Sequence, residues 1–81
     1  MSISASRDAG LRKLVNLLGP DQADAVVRET LERIGLAELL TPDDYYLFAT
    51  ELMKQGGVLE VVGRAMRTQA YLHGAREDQG G

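Results

Sequence analysis

The sequence contains no cysteine, no tryptophan and a single histidine, His73, among its 81 residues. The absence of cysteine excludes disulfide bonds, zinc sites built on thiolates and cysteine nucleophiles. One histidine cannot form a metal site that needs several histidine ligands. We therefore predict that the chain holds no metal ion and no other cofactor.

Patterns of residues that carry catalysis are missing as well. Asp43 and Asp44 are adjacent, so on a helix their side chains point about 100° apart rather than toward one substrate. Their position after Thr41 and Pro42 explains them as acids in the first turn of a helix. His73 lies near a predicted helix end, where its positive form suits the negative end of the helix dipole. We predict no catalytic residue and no enzymatic activity.

Long apolar runs are also missing. No segment reaches the roughly 18 apolar residues that span a bilayer, and the N-terminal segment lacks the features of a secretory signal. Apolar residues make up 44% of the chain and charged residues 26%, a balance typical of folded domains. The lack of cysteine is typical of a reducing compartment, so we expect a cytoplasmic location.

The net charge of −3 is unevenly distributed. Residues 1–20 carry +2 and residues 21–44 carry −5, whereas residues 45–81 are balanced. An acidic chain gains little from phosphate contacts, so general binding to nucleic acid is disfavoured.

Glycine and proline divide the chain into four segments of helical length. The boundaries lie at Gly19-Pro20, Gly35, Thr41-Pro42 and Gly56-Gly57. Between them, apolar residues recur every three or four positions, which indicates helices rather than strands. The sequence predicts a single domain over residues 1–81, an all-α, small four-helix bundle with short connections. The expected helices are 6–18, 20–34, 42–55 and 57–73, followed by a disordered tail over 74–81.

Each of the first three predicted helices has one apolar stripe. In the first it consists of Leu11, Leu14, Val15 and Leu18, and in the second of Ala23, Val26, Val27, Leu31 and Ile34. In the third it consists of Tyr45, Ala49, Leu52 and Met53, flanked by Tyr46 and Phe48, with Leu47 on the opposite side. A stripe of this width is typical of a helix that packs on one side.

The fourth predicted helix differs because its apolar residues cover nearly half of its circumference. They are Val58, Leu59, Val61, Val62, Ala65, Met66, Ala70 and Leu72. Gln69 lies near the middle of this face. It either bonds to its counterpart in a second copy, as polar residues do in coiled coils, or is a partly exposed residue near the helix end. Gly63, at the margin, would permit a neighbouring backbone to approach closely.

A face this wide suits a helix that packs against its own domain and against a second chain. We therefore predict a small protein–protein interaction module, either a homo-oligomer or an adaptor for a partner protein. The predicted interface consists of Val58, Val61, Val62, Ala65, Gln69 and Leu72, extended by Tyr46 or Leu47. The homo-oligomer would be dimeric or larger at micromolar concentration.

The alternative is a DNA-associated regulator. Residues 48–69 have the outline of two helices joined by a tight glycine turn, with Arg64 and Arg67 on the second helix and Arg12 and Lys13 as further cations. Neither alignment of a helix-turn-helix fits well, because each places a charged residue, Glu51 or Glu60, at a position that should be buried.

Overall fold

A computed structural model describes residues 3–74 of the chain, with side chains from residue 7 onward. The described residues form four helices: α1 (Ile3–Leu18), α2 (Pro20–Ile34), α3 (Pro42–Met53) and α4 (Gly57–Leu72). No strand occurs among them. The predicted all-α four-helix class is therefore confirmed, while residues 75–81 of the predicted disordered tail lie outside the described residues.

The helix bounds differ from the expected ones by three residues at most. α1 begins at Ile3 instead of residue 6, since no helix-breaking residue precedes Ser6. α3 ends two residues earlier than expected, because the Lys54 and Gln55 N–H groups bond three residues back, at 3.2 and 3.1 Å. Such bonds tighten the last turn of a helix.

Two helix ends follow the capping chemistry that their residues predict. Gly35 adopts a left-handed conformation with φ of 73°, and the Leu36 N–H donates to the Leu31 carbonyl at 3.0 Å. Together with the Gly35 N–H bond to Glu32, this is a Schellman ending. At the start of α3, Thr41 and Asp44 form a reciprocal capping box.

The helices form a ring in which each contacts the next. α1 packs on α2 and α4, and α3 packs on α2 and α4. α1 and α4 are therefore neighbours in the ring, as are α2 and α3. The contact between α3 and α4 is the most extensive, and Gly63 permits it: a Cβ there would lie 2.8 Å from the Ala49 carbonyl oxygen.

The core is built around α3. Its fully buried members include large side chains from three helices, namely Leu14, Tyr45, Phe48, Leu52 and Val62. Val15, expected in the buried stripe of α1, is 40% exposed instead. It lines a shallow depression between α1 and α2, because the stripe of α1 is directed between α2 and α4 rather than at α2 alone.

Thr30 is a fully buried polar residue, and the apolar pattern of α2 does not predict its burial. Its hydroxyl donates to the Val26 carbonyl at 2.7 Å and accepts from Gln55 Nε2 at 2.9 Å. These bonds satisfy the hydroxyl and link α2 to the turn between α3 and α4.

None of the described helices is both long and apolar enough to cross a membrane.

Candidate interaction face

The apolar residues of α4 divide into two sides. One side packs in the core and consists of Val62, Gly63, Met66 and Ala70, all buried. The other side remains uncovered: Val58, Val61 and Leu72 are 50%, 69% and 70% exposed. The first three helices therefore cover only part of the wide face that the sequence shows.

The uncovered residues form a continuous line along α4, which we name the α4 stripe. It consists of Val58, Val61, Ala65, Thr68 and Leu72, each of them exposed. Their spacing alternates between three and four residues, the spacing of the contact positions in a two-helix coiled coil. Thr68 was not among the predicted interface residues, since the prediction considered apolar residues and Gln69 only. The heptad spacing would have identified it.

A groove borders the α4 stripe on the side of α1. It has a volume of about 240 Å³ and lies among Ala9, Gly10, Lys13, Tyr45, Val62, Ala65, Met66 and Gln69. Small residues keep it open, because Ala9, Gly10 and Ala65 carry little or no side chain. Lys13 is exposed at this border, and it forms no ion pair with any residue that the structure describes.

Tyr45 lies beneath this groove and is 1% exposed. A Cβ on Gly10 would lie 2.5 Å from the Tyr45 hydroxyl oxygen, so the glycine leaves space for the ring's polar end. Burial raises the pKa of Tyr45 from 10.0 to about 12, since the buried phenolate would lose its hydration. Tyr45 therefore keeps its proton at alkaline pH values at which a free tyrosine side chain ionises.

Arg67 lies on the side of α4 that faces α3. It lines a depression together with Tyr46, Thr68 and Tyr71. Arg67 is half-buried and, like Lys13, has no ion-pair partner among residues 7–74. The neighbouring Arg64 lies 3.8 Å from Glu60, one turn before it. The α4 stripe thus has Lys13, without an ion-pair partner among the described residues, along its α1 border and the Arg64–Glu60 ion pair along its other border.

The α1–α4 pair of helices and the α2–α3 pair carry opposite net charge. The α1–α4 pair has five basic residues against two acidic ones, a net charge of +3. The α2–α3 pair, together with its adjoining loop residues, has eight acidic residues against three basic ones, a net charge of −5. The α4 stripe lies on the basic pair.

The structure separates the predicted interface residues. Val58, Val61, Ala65, Gln69 and Leu72 lie together on the exposed part of α4. Two others belong to the core instead: Val62 is 2% exposed because it faces α1 and α3, and Tyr46 is 8% exposed because α4 covers it. Leu47 is 36% exposed but lies on α3, away from the α4 stripe.

The remaining candidates lie apart from one another. Among the described residues, no group of three or more histidine, cysteine, aspartate or glutamate side chains could hold a metal ion. Asp44 is engaged in the capping box, and His73 caps the end of α4, where its backbone N–H donates to the carbonyls of Gln69 and Ala70. Gln69 is exposed, so its amide is not a buried group within one subunit.

No protein-family model, curated protein or solved structure matches this chain. The geometry of the α4 stripe is therefore the basis for assigning a function.

Proposed function

We propose that this protein is a small intracellular protein-interaction module that binds another helix through the α4 stripe. It works either as a homo-oligomer or as an adaptor for a partner protein, without enzymatic activity. The absence of cysteine supports a cytoplasmic location for it.

A single observation carries this proposal: α4 leaves Val58, Val61 and Leu72 in solvent while its other side completes the core. Burying one such side chain fully stabilises a contact by about 1.5–3 kcal/mol. Single exposed apolar residues are ordinary on protein surfaces. A line of them at coiled-coil spacing along one helix is typical of a helix-binding surface.

Site-specific cross-linking in cells tests the proposal. A photoreactive amino acid replaces Val61 in the full chain, which is expressed in the cells that contain it naturally. The matched control places the same amino acid at Leu40, which is 66% exposed against 69% for Val61 but lies in the α2–α3 loop. We expect a discrete adduct from position 61 and none from position 40.

The mass of the adduct separates the two forms of the proposal. An adduct of twice the chain's mass supports the homo-oligomer, and a different discrete mass supports the adaptor. Light scattering of the purified protein at micromolar concentration checks the homo-oligomer independently. Equal labelling from positions 61 and 40, with no discrete adduct from either, contradicts the proposed function in both forms.

The DNA-associated alternative is supported by the basic α1–α4 pair of helices, to which Arg12, Lys13, Arg64 and Arg67 contribute. Its test is a salt titration of binding to random duplex DNA. A clear negative slope of log affinity against log salt supports this alternative, and no binding at low salt removes it.

A further inference from the structure

The groove between α1 and α4 lies beside the α4 stripe and shares only Ala65 with it. It has a volume of about 240 Å³. Its lining is mainly apolar: Ala9 and Gly10 come from α1, and Val62, Ala65 and Met66 come from α4. Small-molecule pockets of helical bundles lie between helices in this way and have mainly apolar linings.

The border of the groove carries a positive charge. Lys13 is the one charged side chain among the described residues that line the groove. It is exposed and forms no ion pair with a described residue. Asp8, the acidic residue of α1, does not line the groove and lies 3.5 Å from Arg7. An anionic group in the groove would therefore meet a cation that no described carboxylate neutralises.

Two neutral polar side chains complete the lining. The Tyr45 hydroxyl lies close to α1, where a Cβ on Gly10 would be only 2.5 Å from its oxygen. Gln69 is exposed, one turn after Ala65 on α4. An apolar lining with a few polar groups suits a ligand that has an apolar body and one polar end, since the polar groups fix its orientation.

We propose that this groove binds a small apolar carboxylate, an organic acid with one short hydrocarbon body. The hydrocarbon would lie against Val62 and Met66, and the carboxylate would face Lys13. This inference goes beyond the proposed function, because it assigns a ligand to a different surface and requires no partner protein.

The volume of the groove sets the size of the ligand. A water molecule occupies about 30 Å³ in the liquid, so 240 Å³ accommodates about eight non-hydrogen atoms. Hexanoate matches this size and serves as the probe. Its hydrocarbon chain would be removed from water by the apolar lining, and each buried methylene group strengthens binding.

Ligands that have only one of the two features fit the groove less well. Acetate and inorganic phosphate offer a negative charge to Lys13 but leave the apolar lining uncovered. Hexanol covers the lining but leaves the cation without a counter-charge, and hexylamine places a second positive charge beside it. These four compounds serve as comparison ligands in the test.

The test follows the methionine methyl signals of the full chain by NMR during titration with each compound. Met66 lines the groove, and its Cε would lie 3.1 Å from a Cβ on Gly10. Met53 provides an internal control, because it contacts Gly63 at the junction of α3 and α4 and does not line the groove.

We expect hexanoate to shift the Met66 signal in a saturable manner and to leave the Met53 signal in place. Hexanoate should bind at least about tenfold more tightly than acetate, because it buries additional methylene groups. It should bind about threefold or more tightly than hexylamine at low salt, and this second difference should diminish as salt screens the charges.

Two pairs of variants locate the site. Ala9→Leu fills the groove from α1 and should abolish hexanoate binding, whereas Ala25→Leu, at an exposed position of α2, should not. Lys13→Gln should weaken hexanoate binding by about twofold to fivefold and leave hexanol binding unchanged. Arg12→Gln removes the same charge from the adjacent position, which does not line the groove, and should have a smaller effect. Circular dichroism verifies that each variant is folded.

Several results would overturn the proposal. They are the absence of a saturable Met66 shift, equal binding of hexanoate and hexylamine, tighter binding of inorganic phosphate than of hexanoate, and equal effects of Lys13→Gln and Arg12→Gln. The cross-linking experiment at position 61 is independent of all of them. A discrete adduct without hexanoate binding removes the ligand site and leaves the proposed function, and hexanoate binding without an adduct does the reverse.

Discussion

Val61 and Val62 are adjacent in the chain and identical in chemistry, yet Val61 is 69% exposed and Val62 is 2% exposed. They lie on the two sides of α4, one turned to solvent and the other to the core. The buried side holds the bundle together, and burial of each large apolar side chain there contributes about 1.5–3 kcal/mol. The exposed side contributes almost nothing to the isolated fold. Apolar side chains on one side of α4 therefore stabilise the fold, and equally apolar side chains on the other side remain available for binding.

The largest change in the free energy of unfolding is expected on the buried side of α4. Met66→Ala should destabilise the protein by about 2–5 kcal/mol, because it removes buried methylene groups and leaves a cavity. Val61→Ala should change stability by less than about 0.5 kcal/mol. Denaturant unfolding at low protein concentration measures both in the unassociated state. A loss above about 1 kcal/mol for Val61→Ala would mean that the α4 stripe already belongs to the core.

A pH titration tests how completely the groove shields the side chain beneath it. Because the pKa of Tyr45 is raised from 10.0 to about 12, the folded chain retains a proton that the unfolded chain loses between these values. Stability from this group is therefore fully present below about pH 10 and is lost as pH rises toward about 12. The loss should be about 2–3 kcal/mol.

The control for this titration is Tyr45→Phe, which lacks the ionising hydroxyl. We expect the difference in unfolding free energy between the two proteins to depend on pH only above about pH 10. Parallel curves up to pH 12 would show that the Tyr45 hydroxyl ionises as readily in the folded chain as in the unfolded chain. The groove above it would then admit water to the hydroxyl.

Alanine substitution of two helical glycines compares the contact between α4 and α3 with the contact between α4 and α1. Gly63→Ala places a methyl group 2.8 Å from a carbonyl oxygen and 3.0 Å from the Met53 amide nitrogen, so backbone must move. We expect a loss of about 1–3 kcal/mol despite the better helix propensity of alanine.

Gly10→Ala is the counterpart in the groove. The atoms nearest to its new methyl group belong to side chains, the Tyr45 hydroxyl oxygen at 2.5 Å and Cγ and Cε of Met66 at 3.1 Å, and these can shift more easily than backbone. The gain in helix propensity, about 1 kcal/mol, should offset much of the crowding. Thermal unfolding of both variants measures the difference. Equal losses would imply that α1 is held against α4 as rigidly as α3 is.

Local sequence chemistry was sufficient to predict the four helices and the caps at Gly35 and Thr41. Gly35 caps the end of α2 because a left-handed residue is needed there, and Thr41 caps the start of α3 because its side chain accepts a hydrogen bond from a free backbone amide. Both depend on a few neighbouring residues. The sequence also showed that α4 has a wide apolar face, since periodicity alone reveals it.

The division of that face could not be predicted, because it depends on which helices pack against α4. Val62 and Tyr46 were expected at the interface but are buried where α4 meets its neighbours. Burial of Thr30 depends on Gln55, which is 25 residues away in the chain. The charge asymmetry between the two helix pairs likewise required knowing that α1 lies beside α4.

The smallest effect on stability is expected at Thr68, the polar member of the α4 stripe. Its hydroxyl donates to the Arg64 carbonyl at 3.1 Å on an exposed surface, so the bond contributes little. Thr68→Leu should stabilise the fold by only a few tenths of a kcal/mol through helix propensity. It also extends the apolar line from Val61 to Leu72 without interruption, which should raise the yield of the discrete adduct formed from position 61 severalfold, since buried methylene groups strengthen a contact. Thr50→Leu on α3 lacks this effect, since it adds no surface to the stripe. A Thr68→Leu variant that forms no more adduct than the original protein would place the contact elsewhere, because an interface along this line must include position 68.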